Sequence, residues 1–147
     1  MWKSLLLWTG GAFLLLQAIQ IDIPEPPKKI DPDNEIKAPK EIMAMLKTSC
    51  YDCHSYQTNI PWYGHISPIS LEVKSHIKNG RVAVNFQEWE TYNHKKQQKI
   101  YRGIAKTITF RMPLPMYLTV HKEARLNRAE REKIKKWAQS HIDQEDY

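Results

Sequence analysis

Hydrophobic residues are spread very unevenly along this chain. After Lys3, the run from Ser4 to Ile21 carries no charge and is rich in leucine. Its length sits at the lower limit for crossing a hydrocarbon core of about 30 Å. The expectation for residues 1–23 is therefore an uncleaved N-terminal membrane helix. A cleaved signal segment is the rival, but Ala18-Ile19-Gln20 lacks the small-residue spacing of a cleavage site. In residues 24–38 the pattern is lost. Pro24, Pro26, Pro27 and Pro32 alternate with Lys28, Lys29, Asp31, Asp33 and Glu35, which predicts an extended tether.

From Pro39 the spacing becomes helical, and residues 39–147 are read as one domain. Proline suits a first helical turn. Ile42, Leu46, Ser49 or Cys50, and Cys53 recur at steps of three and four, predicting a helix from Pro39 to Cys53. The stretch His54–Ser70 holds Pro61, Gly64 and Pro68 and predicts a structured loop. A second helix is expected over Ile69–Asn79, closed by Gly80. Asn85–Trp89 predicts a turn, Glu90–Lys106 a third helix, and Arg111–His121 a loop stiffened by Pro113 and Pro115. The last helix has a capping-box start, Asn127 with Glu130, and an apolar stripe of Ile134, Trp137, Ala138 and Ile142. No segment alternates like a strand, so the fold class is mostly α. The apolar stripes are meagre for a domain of this size, and a buried prosthetic group would complete the core.

The net charge of +6 over 147 residues suggests an acidic partner or an anionic surface. Nucleic acid is not the expected partner, since no zinc-finger, RRM or KH pattern appears and the N-terminus points to export. The charge is also localised. From Thr91 to Lys122 there is no acidic residue, while Lys95, Lys96, Lys99, Arg102, Lys106, Arg111 and Lys122 are present.

Both cysteines lie in "TSCYDCHSYQ", three residues apart, and His54 follows the second. On a helix Cys50 and Cys53 share a face, with His54 one turn beyond Cys50. C-x-x-C-H is the attachment signature of c-type haem, with two thiols for two vinyl groups and an imidazole for the iron. A disulfide would close a tiny loop and add little stability. A thioredoxin-like pair lacks the strand-then-helix context. A structural zinc site lacks a second histidine pair at a suitable distance. In none of these does His54 have so clear a purpose.

For the opposite face of the iron, "FRMPLPMYLTVH" offers Met112, Met116 and His121. Met112 is preferred because Pro113 restricts its backbone and a stiff loop holds a weak ligand well. Met116, a histidine, or no protein ligand are the alternatives, the last with both methionines only filling space against a flat ring.

Taken together, "LKTSCYDCHSYQTNIPWYGHISPIS", "NFQEW", "MPLPMYLTVHKEARL" and "EREKIKKW" resemble the bacterial haem-binding domain family of small monohaem c-type cytochromes, over about residues 39–140. The resemblance implies a cytochrome c-like helical fold around one covalent haem c. It also implies His54 as proximal ligand and Met112, the first methionine of MPLP, as distal ligand. The cofactor-binding residues expected are thus Cys50, Cys53, His54 and Met112, with His54 and Met112 on the metal. The function expected is electron transfer between periplasmic or respiratory redox partners. The chain would be anchored to the inner membrane, or soluble in the periplasm if cleaved. The alternative is an open sixth site, giving a peroxidase-like enzyme, with His121 and Arg111 as acid–base groups, or a gas or haem sensor.

Overall fold

The computed structural model describes residues 1–143, so the last four residues of the expected domain lie outside it. Among the described residues the regular structure is seven α-helices with short 3-10 turns between them, and no strand. The mostly α expectation holds.

The first helix, α1 (Trp2–Gln17), is shorter than the uncharged run that contains it. Its 16 residues span roughly 24 Å at 1.5 Å per residue. No helix among the described residues is long and apolar enough to cross a membrane. The expected spanning helix thus finds no support, and the uncharged run leaves the helix at its C-terminal end. Gln17 turns from the helix to the domain, its amide pairing with the backbone N–H (3.0 Å) and C=O (3.2 Å) of Ser67. Gln20 accepts a bond from Lys74 Nζ at 2.8 Å. Apolar surface continues to Ile21, but the backbone leaves the helix to make these contacts.

Residues 24–38 contain no α-helix, as their prolines require, only a 3-10 turn at Pro32–Asn34 capped by Asp31. They are held on the domain rather than projecting from it. Arg81 Nη1 donates to Pro24 O at 2.8 Å, and Tyr51 Oη donates to Glu35 at 2.9 Å. Ile36 bonds through its N–H to Phe86 O at 2.8 Å and is only 2% exposed. Core packing thus begins before Pro39.

The helix expected over Pro39–Cys53 is two helices. α2 (Lys40–Ser49) is followed by a break at Cys50, where φ is −128°, and then by the single turn α3 (Tyr51–His54). α4 (Ile69–Ala83) runs through Gly80 instead of stopping there. Asn85–Trp89 lies in the 3-10 segment Phe86–Thr91. α5 (His94–Thr107) therefore starts later than expected, where Asn93 accepts from the Lys96 N–H at 2.9 Å. The expected loop at 111–121 includes one helical turn, α6 (Tyr117–Val120). α7 (Arg128–Gln139) has both bonds of the capping box, Asn127 Oδ1 to Glu130 N at 2.9 Å and Glu130 Oε2 to Asn127 N at 2.7 Å.

α5 and α7 form the most extensive helix pair, with α2 set against α7 and α3 against α4. The pair buries Ile100 and Tyr101 against Ile134, Trp137 and Ala138. Tyr101 meets the Trp137 ring edge-on at 5.6 Å and the Trp89 ring at 4.8 Å. Such edge-to-face pairs add to the burial that drives them. One side of this core stays open, and the residues of the C-x-x-C-H segment face that opening.

Candidate functional site

Gly80 explains how α3 comes to lie on α4. A Cβ at this position would sit 2.5 Å from the Cys53 carbonyl oxygen, so any other residue would push the two helices apart. The approach brings His54 to the last turn of α4. Its Nδ1 lies 3.0 Å from Gly80 O and 3.2 Å from Val84 O. Two carbonyls can only accept, so Nδ1 carries the proton and Nε2 keeps its lone pair. Burial pulls the His54 pKa below its ordinary value, while the two backbone bonds act against that shift. The imidazole is thus neutral, in the tautomer that binds a metal through Nε2, and its orientation is fixed by the other nitrogen.

Cys50 and Cys53 are free thiols, not joined to each other. Burial pushes Cys50 up to about 12, with Cys53 adding and Arg131 opposing. Burial likewise raises Cys53 to about 11, with Asp52 adding and Arg81 opposing. A reactive redox pair needs depressed values, so this environment does not suit one. Nor is there, among the described residues, any group of three or more His, Cys, Asp or Glu arranged to hold a metal ion, as zinc would require.

The two cysteines and His54 line a cavity of about 720 Å³. Leu46 from α2, Phe86, and Ile134 from α7 extend the wall, and Ile100 and Ile104 from α5 with Ile108 just after it form much of the rest. Met112, Pro113 and Leu114 complete it from the loop after α5. All four residues expected at the site therefore open onto one largely apolar space. Met116 does not line it and is 68% exposed. His121 is also absent from the wall. Its Nε2 pairs with Tyr63 Oη at 2.7 Å, its Nδ1 with Glu123 Oε1 at 2.9 Å, and its ring stacks on Tyr117 at 4.2 Å.

Several wall residues have no motif to announce them. Tyr117 Oη donates to Asp52 Oδ2 at 2.7 Å, tying α6 to the turn that carries the cysteines. Lys96 and Lys99 bring positive charge to an otherwise apolar lining, and His76 reaches it while pairing with Glu72 at 2.8 Å. The acid-free stretch hinted at the two lysines. Nothing in the spacing of the chain singled out Asp52, His76 or Gly80 as site residues.

A family model described as a haem-binding domain matches residues 11–140. The chain belongs to the haem-binding domain family. No curated protein and no solved structure matches it. Haem is accordingly the group against which this domain's cavity is judged, and the residues fit. The walls are apolar, a neutral imidazole and a thioether provide nitrogen and sulfur donors, and two lysines in the wall bring positive charge that suits carboxylates.

Proposed function

We propose that this haem-binding domain is a monohaem c-type electron carrier of the bacterial periplasm. Cys50 and Cys53 would each add S–H across one vinyl group, forming a carbon–sulfur bond and passing the hydrogen to the neighbouring carbon. Nothing is oxidised or released in that addition. His54 and Met112 would hold the metal from its two sides. Bound haem supplies a one-electron ferric–ferrous couple. The chain's own task is to keep both ligands in place, exclude water and present a surface to partners. The observation that carries the reading is that two protonated thiols, a neutral imidazole with a free Nε2 and a methionine thioether share one apolar cavity.

The surface supports a partner of acidic character. Lys96 and Lys99 lie in the cavity wall, and Val82, also in the wall, is 74% exposed, so the cavity meets solvent beside these charges. A positive rim raises encounter rates with an acidic redox protein and orients it. A peroxidase-like role with His121 as acid–base group finds less support, because both His121 nitrogens are already engaged outside the wall.

Optical spectra of the haem-loaded protein test the reading. A saturated iron predicts a methionine–iron charge-transfer band in the oxidised state and slow carbon monoxide binding in the reduced state. Absence of the band with rapid carbon monoxide binding would instead point to an open sixth site.

A further inference from the structure

Met112 lines the cavity from a loop, and something must hold that loop in place. After α5 the chain turns sharply, with Thr107 O accepting the N–H groups of both Arg111 (2.8 Å) and Met112 (3.0 Å). The carbonyls at such a helix end have no helical donors and need other partners. Here they find one in α7. Arg131 Nη1 donates to Ile108 O at 2.5 Å and to Met112 O at 2.6 Å, while Nε donates to Leu126 O at 3.1 Å. One guanidinium thus joins both ends of the 108–112 turn to the segment that leads into α7. Asn127 caps that same helix four residues before Arg131, so the guanidinium projects from a fixed first turn.

We propose that Arg131 is the positioning residue for the Met112 ligand, setting how strongly the thioether holds the iron; this rests on the reading of Met112 given above. The Arg131 side chain is not among the residues that line the cavity. It acts by clamping the carbonyl of Met112 itself, so loss of the clamp frees the backbone that carries the sulfur. A planar fork with donors at fixed angles can serve three carbonyls at once, whereas an ammonium on a flexible stem cannot reproduce that geometry.

The test compares the haem-loaded full-length protein with Arg131→Lys, which keeps the charge and loses the fork. The expected variant retains covalent haem and far-UV helicity. Its methionine–iron band weakens or disappears, its potential falls, and its reduced form binds carbon monoxide about tenfold faster or more, the effect of losing hydrogen bonds to a charged donor. In a Met112→Ala background the same substitution should change the potential and carbon monoxide rate no further, because the residue acts through Met112. An unchanged band and rate in Arg131→Lys, or an effect that persists undiminished in the Met112→Ala background, overturns the assignment. If Arg131→Lys does not accumulate as holoprotein, Arg131→Gln is measured in the same way. Failure of both to fold would make Arg131 a folding residue and also overturn it. A parent protein with haem but no methionine band would defeat the Met112 reading itself, a separate outcome visible before any Arg131 variant is made.

Discussion

At the residue scale, Met112 and Met116 are near neighbours in one proline-rich loop, yet Met112 lines the cavity and Met116 is largely exposed. Met112→Ala should abolish the methionine–iron band and lower the reduction potential, since thioether ligation raises it. Met116→Ala should leave both unchanged; optical titration of the two variants checks this. Tyr101 gives a pH dependence of another kind. Burial, then nearby Glu90, raises its phenol above the ordinary 10.0. A raised folded value means that the stability it contributes is complete below about pH 10 and is lost as pH rises through the folded value. Denaturant midpoints measured between about pH 8 and 12 should therefore fall at the alkaline end, and Tyr101→Phe should flatten that fall.

At the scale of elements, Gly80 sets the geometry of the site. Gly80→Ala should force α3 from α4 and cost about 1–3 kcal/mol, as overpacking of a close contact does. The same change should disturb the bonds that fix His54, so thermal unfolding and the yield of haem-loaded protein should decline together. Asn127→Ala removes one half of the capping box of α7 and should lower stability to denaturant by about 1 kcal/mol. These two positions also show what could be read from sequence. The Asn127–Glu130 spacing is a local signal answered by local bonds, so the start of α7 was legible. Gly80 appeared to end a helix because glycine commonly does. Its actual role depends on Cys53, which lies far away in the chain and is brought near only by tertiary packing. The break at Cys50 and the clamp from Arg131 were hidden for the same reason. The C-x-x-C-H segment stood out because its residues are close in sequence, and the structure keeps Cys50, Cys53 and His54 on one cavity wall.

At the scale of the whole molecule, a helical domain surrounds one cavity that both the cysteine turn and the loop after α5 line. Hydropathy alone does not reveal the path of the N-terminal run: α1 ends at Gln17, and the chain then lies against the domain through Gln20 and Pro24 before Ile36 enters the core. Charge is a property of the same scale. Oxidation of the reduced protein by the anion ferricyanide should slow by about threefold or more from roughly 0.01 to 0.5 M salt, and Lys96→Gln with Lys99→Gln should reduce that dependence in stopped-flow measurements. The central claim, that Cys50 and Cys53 fasten haem covalently above His54, has a more direct test. Protein matured in a periplasm competent for haem attachment is denatured and extracted with acid acetone, and the visible spectrum of the polypeptide is recorded. The account predicts that the porphyrin absorption stays with the chain, and that it passes to the solvent in a Cys50→Ser, Cys53→Ser variant. Porphyrin released entirely from the unaltered chain, or a colourless chain with its two sulfurs joined to each other, would contradict it.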